Sequence, residues 1–220
     1  MSEYVNSLTK EEMDVLGEIG NISLGNAATT LSVMVNQRVE ITTPVVEVIN
    51  RSEALDDYDK TCVFVQIHYI KGLSGNNVFI LKEPDVLCMT DLMMGGDGTN
   101  TQGEVTELHL SAASEAMNQM MGTSATSMAQ MLQIPVDIST PDLSRIDVES
   151  VKQFEKMFES NLDKFVKIAF RMVIGNLIDS TMVQLYPVSF AHEMCKQFED
   201  NEENEKLRRE LAAKRAAERK

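Results

Sequence analysis

The sequence predicts a mixed α+β (α/β) domain made of two similar halves. A mixed, largely antiparallel sheet carries helices packed on it, and two long helices carry the candidate sites. Three observations lead there. First, "DVLGEIGNISLGNAATTLSVMV" (Asp14 to Val35) matches "SAASEAMNQMMGTSATSMAQML" (Ser111 to Leu132) at an offset of 97 residues, and "VEITTP" ending at Pro44 matches "VDISTP" ending at Pro141 at the same offset. Repeats of this kind define architecture before any element is read. Second, each half reads as helix, strands, helix. Third, hairpin-length links such as "KGLSGN" imply antiparallel pairing inside each half. The halves run over about 8–96 and 104–197 of one domain, 1–198.

The elements follow in order. Long helices are expected at about 9–36 and 104–133. "VEITTPVVEVI" and "TCVFVQIHYI" are rich in Val, Ile and Thr and read as strands. "NNVFIL" is a third strand, matched by "DSTMVQLY". "PDVLCMTDLMM" and "PVSFAHEMCKQF" begin with a Pro suited to a first helical turn. Gly72 matches Gly175 and Pro84 matches Pro187 at an offset of 103, so six residues are inserted in the second half, placed within Arg145 to Lys164. "GGDGTNTQG" is a turn between the halves; without the Lys and Ser or Thr of a P-loop it is no phosphate loop. Residues 199–220 are rich in Glu, Lys, Arg and Ala, with opposite charges at helical spacing. They read as a charged helical linker or solvated tail leading toward something further.

Composition excludes several classes. At 43% hydrophobic and 25% charged the chain is ordinary globular material. No run approaches the ~18 apolar residues of a membrane span. The formal charge of −14 argues against nucleic acid and anionic membrane. Cys62, Cys88 and Cys195 lack metal spacing and read as reduced thiols of a cytoplasmic protein. His68, His109 and His192 are scattered and read as structural. The many Met, as in "MNQMMG", read as core filler, with Met120 and Met121 at a partner-facing edge as the lesser alternative.

The chemistry sits on the long helices. With Asp14 at 0° and 100° per residue, Glu18 falls near about 40°, Asn21 near about −20° and Gly25 near about 20°. Leu16, Gly20, Leu24, Ala27, Leu31 and Met34 form a separate core stripe. Ser111, Glu115, Asn118 and Gly122 repeat the outward stripe. Glycines at these positions cost helix stability and allow another surface to approach closely. An amide can hold a water with both donor and acceptor, and a Glu can anchor a partner's Lys or Arg. A single exposed Glu and Asn would pass for a solvated face. No nucleophile, triad or second carboxylate at metal spacing accompanies them, so the chemistry needs a partner that brings its own electrophile.

The pattern Asp/Ser, three residues, Glu, two residues, Asn, twenty-two residues, Pro resembles the signature of the CheC, CheX and FliY phosphatases of bacterial chemotaxis. Asp14, Glu18, Asn21 and Pro44 match it, as do Ser111, Glu115, Asn118 and Pro141. "LGEIGNISLGNAATTLS", "DLMMGGDG", "HLSAASEAMNQMMGTSATSM" and "LIDSTMVQLYP" are similar to the FliY branch, over about residues 8–197. The resemblance implies hydrolysis of the aspartyl phosphate of phosphorylated CheY. The Mg²⁺ would come with the CheY substrate, so no cofactor is expected on this chain. Asn21 or Asn118 would orient the attacking water, and Glu18 or Glu115 would bind a CheY Lys. The switch proteins FliM, FliN and FliG are implied as further partners, and the cytoplasmic face of the flagellar basal body as the location.

Two departures are visible. The FliN-like C-terminal domain usual in that branch is missing, which points to a truncated or short form, and "MSEYVNSLTK" is too short and plain for a CheY-binding peptide. Gly20 stands where the second half has Met117, so unequal sites are expected. The competing expectation is a non-catalytic switch scaffold resembling the FliM middle domain, which has no reason to hold Glu and Asn twice. A CheC-like protein regulated by the deamidase CheD fits the FliY-like segments and the tail less well.

Overall fold

The computed structural model describes residues 7–56, 58, 61–146, 163–201 and 204–218. Helix α1 (Lys10–Val35) starts at Thr9, whose hydroxyl accepts from the Glu12 amide while the Thr9 amide donates to Glu12 Oε2 at 2.8 Å. This reciprocal capping satisfies two otherwise orphaned donors. It ends at Asn36, left-handed at φ 49°. Helix α3 (Glu107–Leu132) repeats the plan 97 residues on: Thr106 caps it, His109 Nδ1 replaces the Glu carboxylate, and Gln133 ends it at φ 54°. Between them lie β1 (Val39–Asn50), β2 (Cys62–Lys71), β3 (Gly75–Lys82) and α2 (Glu83–Met93). After α3 come β4 (Asp137–Ile138), β5 (Asp142–Ile146), β6 (Lys164–Ile174), β7 (Ile178–Pro187), α4 (Val188–Asp200) and α5 (Glu205–Glu218).

The sheet order is β1-β6-β7-β3-β2-β4, with β5 also on β2. Every pairing among the described residues is antiparallel. The expected hairpins β2–β3 and β6–β7 form and meet at β3 and β7. One expectation is corrected. β1 does not pair within its own half; it pairs along its length with β6, and β4 and β5 pair with β2. The halves therefore exchange their first strands, and neither sheet half is complete alone.

Pro44 shapes this exchange. The β1–β6 register shifts between Thr42 and Val45. Proline has no N–H for the ladder and belongs on an edge strand or at a bulge. Its counterpart Pro141 falls in the break between β4 and β5. The six-residue insertion assigned to 145–164 lies mostly outside the described residues.

The helices pack on one sheet face, where Leu16, Leu24, Leu31, Phe170, Met120 and Met121 are buried in the main core. Met120 and Met121 are thus core filler and not a partner-facing edge. Phe64, Ile80, Phe165 and Leu185 form a second cluster that Ala54 and Tyr58 join. The three cysteines are free and buried. His192 Nδ1 lies 2.6 Å from Glu12 Oε1, joining α4 to the start of α1. The tail differs from the solvated reading: α5 buries Leu211 in the main core and partly buries Leu207.

Candidate functional site

Two helices set the geometry. α1 and α3 touch through Asn26 Nδ2, donating to Ser127 Oγ at 3.0 Å, and through the Thr30 and Thr123 hydroxyls at 2.9 Å. Position 26 corresponds to 123 and position 30 to 127, so these bonds are related by the internal twofold. They also show the helices to be antiparallel. Asn21 and Asn118 each lie about seven residues from the crossing, on opposite sides. At a rise of 1.5 Å per residue they are about 21 Å apart along the pair. No single phosphoryl group can meet both amides.

At the first site, Asp14, Glu18 and Asn21 of α1 line a cleft of ≈ 460 Å³ with Lys10, Met13, Gly17, Pro44, Val46, Leu211 and Lys214. The structure thereby brings Pro44 to the Glu and Asn predicted with it. Gly17 faces the same strand, where a Cβ would make only ordinary contact, 3.7 Å from Val46 Cγ2 and 3.9 Å from Pro44 Cγ. Asn21 is exposed, whereas Asp14 and Glu18 are half-buried.

At the second site, Ser111, Glu115 and Asn118 are all exposed. Gln119 Nε2 donates to Glu115 Oε1 at 2.9 Å, orienting the carboxylate. The first half has Ile22 at the matching position, so only the second carboxylate has this support. Ser114 Oγ donates to the Pro141 carbonyl at 3.5 Å, which ties Pro141 to α3.

The glycines divide by cause. Gly20 is buried, and a Cβ there would lie 3.0 Å from Phe170 Cζ. The matching positions in the other half are Met117 on the helix and Ile67 on the strand, so there the helix carries a side chain and the strand has no ring. Gly25 and Gly122 are different. A Cβ at either meets nothing within 4 Å. Nothing among the described residues calls for glycine there.

Sequence reasoning missed Gln119, Leu211 and Lys214. Leu207 and Leu211, spaced i and i+4 in an otherwise polar tail, were the available signal. Among the described residues no group of three or more His, Cys, Asp or Glu is placed to hold a metal ion. No helix among them is long and apolar enough to cross a membrane.

The fold and site define a twofold α+β domain that presents one surface stripe twice. The CheC-like family model matches it twice, at residues 11–48 and 108–145, which are 97 residues apart. The flagellar motor switch phosphatase FliY of Bacillus subtilis (strain 168) is 41% identical over 201 residues, covering 91% of this chain and 53% of that protein. The CheY-P phosphatase CheC of the same organism is 23% identical over 144 residues, covering 63% of this chain and 68% of that protein. The crystal structure of Thermotoga maritima FliY is 37% identical and superposes with a TM-score of 0.82, over 87% of this chain and 97% of that one. The chain belongs to the CheC-like family, alongside its FliY members. It spans about half the length of the curated FliY relative. The FliG–FliM complex from H. pylori matches with a TM-score of 0.70 at 17% identity, over 86% of this chain and 100% of that one, a likeness of fold.

Proposed function

We propose that this chain hydrolyses the aspartyl phosphate of phosphorylated CheY, with Asn21 and Asn118 as catalytic residues and Glu18 and Glu115 as anchors for a CheY lysine. Water attacks phosphorus in line, the P–O bond to the aspartyl carboxylate breaks, and the products are the free carboxylate, inorganic phosphate and a proton. The Asn amide oxygen accepts a hydrogen bond from that water and fixes its approach. Orientation of this kind is the main protein contribution to phosphoryl transfer. Mg²⁺ neutralises the developing charge and arrives with the substrate. Pro44 and Pro141 position the strands beside α1 and α3, and Asp14 and Ser111 open each stripe.

One observation carries the proposal: an exposed amide one turn from a carboxylate, held twice on helix faces opposite the core, next to a glycine that the fold itself does not need. The names of the FliY and CheC relatives support it. A non-catalytic scaffold would share the fold of the FliM complex without the doubled stripe. On the FliY likeness we also assign the chain to the flagellar switch, with FliM, FliN and FliG as candidate partners. The test is phosphate release from phosphorylated CheY with and without the chain: acceleration supports the proposal, and an unchanged rate favours the scaffold.

A further inference from the structure

Helix α5 lies across the first site. Its start is fixed by Asn204, which is 8% exposed and donates to the carbonyls of Met131 at 2.7 Å and Phe198 at 3.1 Å. Asn201 donates to the same Met131 carbonyl at 2.9 Å. Two turns on, Leu211 is 8% exposed and joins the main core. Leu211 and Lys214 then form one wall of the cleft that holds Glu18, Asn21 and Pro44. The two sites differ accordingly. Asp14, Glu18 and Gly25 are half-buried, whereas their counterparts Ser111, Glu115 and Gly122 are exposed. Charge favours the contact, since 205–218 holds five basic and three acidic residues in a chain of net charge −14.

We propose that α5 is an autoinhibitory cap on the first site. This rests on the stripe being a docking site for phosphorylated CheY. Docked, α5 sets Lys214 in the wall of the cleft that an incoming lysine must enter to meet Glu18, and it bars the partner's surface from α1. Asn21 stays exposed, so the cap excludes a protein surface and not water. Released, α5 opens the site. Among the described residues the second site has no such cover, and it works in either state. Burial of one leucine shifts a docking equilibrium by roughly ten- to a hundred-fold, enough to keep such a cap mostly closed and still reversible.

The test uses the full chain with one site removed at a time. Asn118→Ala leaves the first site and Asn21→Ala leaves the second. Each is measured with and without Leu211→Asp, which puts a charge in place of the buried anchor. CheY dephosphorylation by the Asn118→Ala chain should rise about tenfold if the cap is closed about nine-tenths of the time. The Asn21→Ala chain should not change. Hydrogen exchange should quicken at 205–218 and on the first turns of α1, and not at 107–118. Lys214→Glu, which sets a carboxylate in the wall of the cleft that also holds Asp14 and Glu18, should act in the same direction and decides the matter if Leu211→Asp does not fold. Released α5 with no gain in the Asn118→Ala chain, while the Asn21→Ala chain remains active, overturns the cap and leaves the phosphatase proposal standing. Fast exchange of 205–218 already in the parent also overturns it. Inactivity of every chain, parent included, removes the proposal on which the cap rests.

Discussion

Replacing Gly25 and Gly122 together by Ala should stabilise the protein and impair its activity. Each glycine sits inside a helix of 26 residues, and a methyl group at either position meets no atom of the described residues within 4 Å. The fold therefore gains the helix propensity without a steric cost. Gly to Ala in a helix interior is worth about 0.8–1.0 kcal/mol, so the pair should contribute about 2 kcal/mol. For a chain of this size, 1 kcal/mol moves the melting temperature by roughly 2–4 °C, which gives a rise of about 4–8 °C. If the glycines clear space for a docked protein, the same methyl groups stand in the interface one turn from each Asn, and overpacking a close contact costs typically about 1–3 kcal/mol. Dephosphorylation of CheY should then fall by roughly five- to a hundred-fold at subsaturating chain. Calorimetry and a phosphate-release assay on one preparation read both effects. A higher melting temperature with full activity would refute the docking role of these glycines. A lower melting temperature would refute the open surroundings described for them.

Gly20→Ala should behave in the opposite way. Its Cβ would press on the buried Phe170 ring at 3.0 Å, so thermal unfolding should come earlier despite the gain in propensity, and Phe170→Leu should restore the loss. Glu18→Gln with Glu115→Gln should weaken binding and turnover together, and should remove the salt sensitivity of the parent rate, because the ion pair forms between charges accessible before docking. Glu12 gives a pH dependence. Burial pushes its carboxyl up, but the Thr9 amide and His192 outweigh this and hold it below the usual range. A depressed folded-state pKa means stability that is present above the ordinary Glu range and lost as pH falls through the lowered value. Acid unfolding followed by circular dichroism should thus be less steep in Glu12→Gln than in the parent.

The sequence made the helices and hairpins legible because their causes are local. The apolar spacing along the helices, the short links of the hairpins and the 97-residue repeat all act within a few residues or by simple copying. The strand exchange was not legible, because nothing in "VEITTP" distinguishes β2 from β6 as its partner; that choice is made by long-range closure of the sheet. The stripe of Asp14, Glu18 and Asn21 was legible from helical spacing, and Pro44 arrived beside it through the bulge. Lys214 was not. Its place in the cleft depends on Leu207 and Leu211, two apolar residues whose signal is too weak to outweigh a polar tail. Gln119 was missed for a related reason: it follows the motif and has no counterpart in Ile22.

In the proposed mechanism the two amides orient water on a phosphoryl group brought by another protein. Its most direct measurement is the rate of phosphate release from phosphorylated CheY with the Asn21→Ala, Asn118→Ala chain, checked by circular dichroism for an unchanged fold. Both side chains are exposed, so stability should stay within about 0.5 kcal/mol of the parent. The folded double variant should leave CheY decaying at its own rate, while each single variant retains part of the acceleration, as sites about 21 Å apart along the helix pair should. Full acceleration by the double variant would contradict it.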